Sequence, residues 1–145
     1  MSETVIGHVL GRLKAIGIED VFGVPGDYAF PVNDAVVNYP GINWIGCCNE
    51  LKAGYAADGY ARIRGTGAVS TTYGVGELSA LSALAGACAE HLPVFHLIGM
   101  PGRPVQQHRA LVHHTPRRWR VRILPQNGRA GRLRQRDHDT TERRI

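Results

Sequence analysis

Four short apolar runs, separated by helical stretches and closed by turns, constrain this chain more than any other feature. They are Asp20-Val21-Phe22-Gly23-Val24, Ile42-Asn43-Trp44-Ile45-Gly46-Cys47-Cys48, Ala68-Val69-Ser70-Thr71-Thr72-Tyr73 and Val94-Phe95-His96-Leu97-Ile98-Gly99. None alternates strictly between apolar and polar residues, so each reads as a buried strand. A helical pattern precedes the first run, with Ile6, Val9, Leu10 and Leu13 at i, i+3, i+4 and i+7 and Gly17 closing it. Further helices are predicted over 30–37, stopped by Tyr39-Pro40-Gly41, over 50–64, ending at Gly65-Thr66-Gly67, and over 78–90. Strands and helices in alternation predict an α/β fold, a parallel sheet with helices on both faces. The carboxyl ends of such strands share one rim, and ligands bind there.

Several chemistry-bearing residues fall on that rim. Glu50 follows the Trp44 strand and opens a helix whose side chains at Ala53, Gly54, Ala56, Ala57, Gly59 and Ala61 are small or absent. A helix so bare suits close approach to a neighbouring backbone or to a flat ligand. Two readings of Glu50 stand: a first-turn carboxylate that complements the helix dipole, or one held against a ligand. Pro25-Gly26-Asp27 sets a second carboxylate just beyond the first strand, where Asp27 either bonds its own turn or faces the site. Gly74-Val75-Gly76 brings the backbone close to something before the last helix. As a phosphate cradle the turn is weak, because it lacks the third glycine of the dinucleotide motif and any Lys-Ser/Thr pair. Adjacent histidines such as His113-His114 are ordinarily surface loop residues.

Charge divides the chain. Residues 1–115 hold 7 Lys+Arg against 9 Asp+Glu, a net of −2, whereas residues 116–145 hold 10 against 3, a net of +7, with every basic residue an arginine. The front is a mildly acidic stretch long enough for one domain with its own core. Cys47, Cys48 and Cys88 make neither a disulfide framework nor a CxxC spacing, and read as small buried residues of a reducing, cytoplasmic compartment. Glu3, Arg12 and Lys14 interrupt the amino terminus, unlike the apolar centre of a signal peptide. Residues 78–100 are apolar but broken by Glu90, His91 and Pro93, which argues against a membrane span.

The same residues resemble a known family. Val24-Pro25-Gly26-Asp27-Tyr28, Asn49-Glu50-Leu51 with Gly54-Tyr55-Ala56-Ala57-Asp58-Gly59-Tyr60-Ala61-Arg62, Thr72-Tyr73-Gly74-Val75-Gly76-Glu77-Leu78-Ser79-Ala80, Ala89-Glu90-His91-Leu92-Pro93-Val94 and His113-His114-Thr115 occur in order. Together they look like the amino-terminal pyrimidine-binding domain of thiamine-diphosphate-dependent 2-keto acid decarboxylases of the pyruvate and indolepyruvate class. The resemblance covers residues 1–115. It implies that Glu50 bonds a ring nitrogen of the cofactor's aminopyrimidine and favours the imino tautomer, which can take the thiazolium C2 proton. A carboxylate suits that task because it shares a proton with a weakly basic ring in a dry pocket. Asp27, His113 and His114 match the acid–base and substrate-positioning group, and Pro25, Gly26, Thr72 and Val75 match the cofactor-binding positions. The paired histidines favour simple decarboxylation over carboligation. The implied partners are a 2-keto acid substrate and further copies of the chain, as a dimer or tetramer.

The resemblance stops at Thr115. Its continuation would resemble Leu-Gly-Asp-Gly-Glu-Phe, whereas this chain reads Pro116-Arg117-Arg118-Trp119-Arg120-Val121. Codons for the observed residues, read one base later, can spell the expected ones, so residues 116–145 are expected to be a frameshifted, disordered tail. The alternative is a basic tail for nucleic acid, a non-catalytic binding function with salt-dependent phosphate contacts. No metal ligands are assigned in this chain. The Gly-Asp-Gly…Asn-Asn motif that holds diphosphate and Mg2+ in the family lies in a separate carboxyl-terminal domain, so these residues alone are expected to be inactive and to leave an apolar face exposed.

Overall fold

In the computed structural model, which describes residues 4–108 and 110–114, nine elements follow one another. They are α1 (Val5–Ala15), β1 (Asp20–Gly23), α2 (Phe30–Val37), β2 (Asn43–Gly46), α3 (Glu50–Arg64), β3 (Gly67–Thr72), α4 (Val75–Ala89), β4 (Val94–Gly99) and α5 (Arg103–Gln107). Local chemistry sets the helix ends. Thr4 Oγ1 accepts the Gly7 N–H at 3.1 Å and Asn49 Oδ1 accepts the Lys52 N–H at 2.9 Å. Gly65, at φ 89°, closes α3 in the left-handed conformation.

The strands form one parallel sheet in the order β2-β1-β3-β4, with Val21 beside Trp44, Phe22 beside Val69 and Thr72 beside Gly99. Every residue of β3 is buried. On one face Leu10, Leu13 and Val36 from α1 and α2 pack with Val21 and Ala68 of the sheet. On the other, Ala53 and Ala57 of α3 and Leu84 of α4 cover Phe22, Val69 and Val94. The expected parallel sheet with helices on both faces is the fold observed.

The bare side of α3 meets α4. A Cβ added at Gly54 would stand 2.8 Å from Ala83 Cβ, so the two helices touch almost backbone to backbone. Arg62 of α3 fastens the pair, binding Asp58 at 2.6 Å and reaching Glu90 beyond α4 at 2.7 Å.

Three expectations need correction. Neither edge run is a fully buried strand: β2 is largely exposed, because α3 sits over β1 and β3 and leaves Ile45 uncovered, and β4 is half-buried up to Gly99. The last long helix begins at Val75 rather than at residue 78, which draws Val75 and Gly76 into its first turn. Cys48 and Cys88 are exposed and Cys47 is half-buried, since they lie in the loop before α3 and on the outer side of α4's last turn. The expectation of a disordered tail concerns residues 116–145, which lie outside the described residues.

Candidate active site

All four strands run parallel, so the segments that follow them gather at one end of the sheet. Residues 25–28 leave β1, Glu50 starts α3 just after β2, and 73–77 lead from β3 into α4. Residues 113–114, far along the chain, come back to the same end. There Asp27 Oδ2 lies 3.1 Å from His113 Nε2, with both side chains more than half exposed. The Tyr28 hydroxyl meets His113 Nδ1 at 3.3 Å, and the Tyr73 hydroxyl donates to the His113 carbonyl at 2.6 Å. The two tyrosine rings stand edge to face with centroids 5.0 Å apart, and the two histidine rings do the same at 4.6 Å. His114 has φ 67°, a left-handed conformation uncommon outside glycine, and its Nδ1 is buried without a hydrogen-bond partner.

A second group adjoins the first. Glu50 is half-buried, and its Oε1 lies 3.1 Å from where a Gly76 Cβ would stand. The same point is 3.1 Å from Thr72 Cγ2. Across the rim, a Cβ at Gly26 would stand 2.8 Å from Thr72 Cβ. A side chain at Gly26 would push its loop off Thr72, and one at Gly76 would crowd both Glu50 and Thr72. The Thr72 hydroxyl is buried and lacks a hydrogen-bond partner, so a donor or acceptor is missing at the place where the two loops and Glu50 converge. Val75 and Pro25 are exposed beside it.

The Gly-x-Gly turn already has an anionic group of its own. Gly74, at φ 72° and ψ −104°, turns the chain so that its N–H reaches the Glu77 carboxylate in the first turn of α4. Burial pushes the Glu77 carboxyl above the usual carboxylate range in spite of that bond, and its Oε2 has no partner. A phosphate at this helix start would meet a carboxylate in the place it needs, so the phosphate-cradle reading is set aside. One strand away, His96 Nε2 lies 2.8 Å from Thr71 Oγ1, and burial pushes the imidazole down to about 4.

The sequence profile of the family described as "Thiamine pyrophosphate enzyme, N-terminal TPP binding domain" matches residues 4–118. The chain belongs to this family. Among curated relatives of this thiamine pyrophosphate (thiamine diphosphate) enzyme domain is the pyruvate decarboxylase of Aspergillus parasiticus. It is 56% identical over 108 residues, which cover 74% of this chain and 18% of that protein. The alpha-keto-acid decarboxylases of Mycobacterium ulcerans (strain Agy99) and Mycobacterium leprae (strain TN) are 53% and 54% identical over 112 and 113 residues, 77% of this chain and 20% of each relative. The chain thus spans about a fifth of the length of the curated relatives it matches.

The rim offers groups of the kind that could hold thiamine pyrophosphate. A half-buried carboxylate, an unpartnered buried hydroxyl and two positions where a Cβ would fill the space all converge on Thr72. Of the residues singled out in the sequence, Asp27 and His113 are brought into direct contact, with the His114 ring edge to face against His113. Glu50, Gly26, Thr72 and the Val75 turn form the neighbouring group. Sequence reasoning passed over Tyr28, Tyr73 and Glu77 as site residues, although all three lie inside the quoted motifs. Tyr73 directly follows β3, and Tyr28 and Glu77 lie in the segments that leave β1 and open α4, which was the available signal.

Proposed function

We propose that this domain is the pyrimidine-binding half of a thiamine-diphosphate-dependent decarboxylase that converts a 2-keto acid of the pyruvate or indolepyruvate class to an aldehyde and CO2. The observation that carries the proposal is the Glu50 carboxylate beside Gly76 and the unpartnered Thr72 hydroxyl. The names of the relatives support the reaction class. Glu50 would hold a ring nitrogen of the aminopyrimidine, with the Thr72 hydroxyl and the backbone of Pro25, Gly26 and Val75 around it. When bound, thiamine diphosphate supplies the electron sink for loss of CO2. Glu50 contributes a proton shared between its carboxylate oxygen and the ring. Asp27 orients His113 through Nε2, and His113 with His114 would position the 2-keto acid or return a proton to the product side.

The diphosphate and Mg2+ would be held by residues outside these 145, in the part of the relatives that the match does not reach. Leu51 and Tyr55 of α3 and Val75 and Leu78 of α4 are exposed large apolar side chains, which supports assembly with further copies as a dimer or tetramer. No described helix is long and apolar enough to cross a membrane. The reducing cytoplasm is the proposed location, in keeping with exposed Cys48 beside Cys47. Residues 116–145 are proposed to be the frameshifted continuation, because the family match ends within three residues of their start.

The gene tests this reading. Read one base later beyond codon 115, it is expected to continue with Gly-Asp-Gly and Asn-Asn motifs. The absence of such a continuation would overturn the fragment reading, as would turnover of pyruvate or indolepyruvate by the purified 145-residue chain.

A further inference from the structure

We propose that Tyr28 is a positioning residue for His113: its hydroxyl donates to Nδ1 and fixes the ring as the Nε2–H tautomer, with that N–H donating to the Asp27 carboxylate. Tyr73 fixes the backbone of the same residue. The inference rests on the reading of this rim as the active site, and deepens it.

The geometry leaves one consistent arrangement for a neutral imidazole. Asp27, as a carboxylate, only accepts, so the nitrogen 3.1 Å from it carries the hydrogen. Nδ1 is then the bare nitrogen and needs a donor, and the Tyr28 hydroxyl stands at 3.3 Å. Burial, with Tyr73 and Asp27 nearby, raises the Tyr28 pKa, so the phenol keeps its proton. A ring bonded at both nitrogens cannot flip without breaking both contacts. The Tyr73 hydroxyl, 2.6 Å from the His113 carbonyl, removes the remaining freedom by tying down the backbone just before the left-handed His114. Both tyrosine rings also flank the His114 ring, with centroids at 6.4 and 6.0 Å. Tyr28 and Tyr73 thus hold the histidine pair at two points, the first setting which nitrogen can exchange a proton and the second where the ring sits.

Long-range proton–nitrogen correlation spectra of the nitrogen-15-labelled 145-residue chain at about pH 8 test this, with His113 assigned by its disappearance in His113→Gln. The expected result is the Nε2–H pattern with Nδ1 displaced from the position of an unbonded pyridine-type nitrogen. In Tyr28→Phe, Nδ1 is expected to move toward the unbonded position while the His96 signals, which report the core, stay in place. An Nδ1–H pattern in the unaltered chain, or an Nδ1 that does not move in a folded Tyr28→Phe, would overturn the proposal. If loss of the His96 pattern shows that the variant fails to fold, the unaltered chain decides: a hydrogen-bonded Nδ1 supports the proposal and an unbonded one contradicts it. The measurement needs no cofactor, so it can fail while the decarboxylase reading stands, and the reverse.

Discussion

The half-buried His96 of β4 and the buried Glu77 and Thr72 set how this domain responds to pH and to substitution. The folded pKa of His96 is depressed by burial to about 4, against an ordinary value of about 6.5. Between those values the unfolded chain binds a proton that the folded chain refuses, so stability falls as pH drops from about 6.5 to 4. Urea unfolding across that window is expected to show a loss of up to about 3 kcal/mol, and His96→Gln should remove that slope. Glu77 has the opposite sign. Its folded pKa is raised by burial, so the stability it contributes is full below the unfolded carboxylate value and is lost as pH rises through the folded one. Glu77→Gln is therefore expected to stabilise the chain at about pH 8 and to do less at about pH 4, as read by the same urea titrations. Thr72→Val removes a buried hydroxyl that has no partner. It is expected to leave the chain as stable or more stable, by up to about 1–3 kcal/mol, while weakening cofactor retention in a complete enzyme.

At the scale of elements, the contact between α3 and α4 gives a paired test on one helix. Gly54→Ala gains helix propensity but drives a methyl into Ala83, whereas Gly59 has nothing within 4 Å of an added Cβ. Gly59→Ala is expected to stabilise by about 0.5–1 kcal/mol and Gly54→Ala to destabilise by about 1–3 kcal/mol, with urea midpoints moving in opposite directions. The elements themselves were largely legible. The helix Phe30–Val37 and the strand Val94–Gly99 fall where local pattern puts them, because apolar spacing and flanking turns act within a few residues. The exposure of β2 was not legible, since an apolar run reads the same in the middle of a sheet and at its edge. The same limit governs the site. Glu50 could be found from a strand end meeting a helix start, but the grip of Tyr28 and Tyr73 on His113 joins residues 85 and 40 positions apart, a distance over which a single sequence carries no pairing signal.

At the scale of the whole molecule, the domain is proposed to present its rim to a larger assembly. The match spans about a fifth of the curated relatives, and the apolar side chains of α3 and α4 stand exposed beside the rim. The charge of +7 in residues 116–145 belongs to a stretch that shares no pattern with the rest. The most direct measurement of the central claim replaces the matching amino-terminal segment of the Aspergillus parasiticus pyruvate decarboxylase with residues 1–115 of this chain and follows CO2 release from pyruvate, with and without Glu50→Gln. The account predicts a folded chimera that decarboxylates pyruvate and loses at least about 100-fold of that activity when Glu50 is replaced. A folded chimera without activity, or one indifferent to the loss of Glu50, would contradict it.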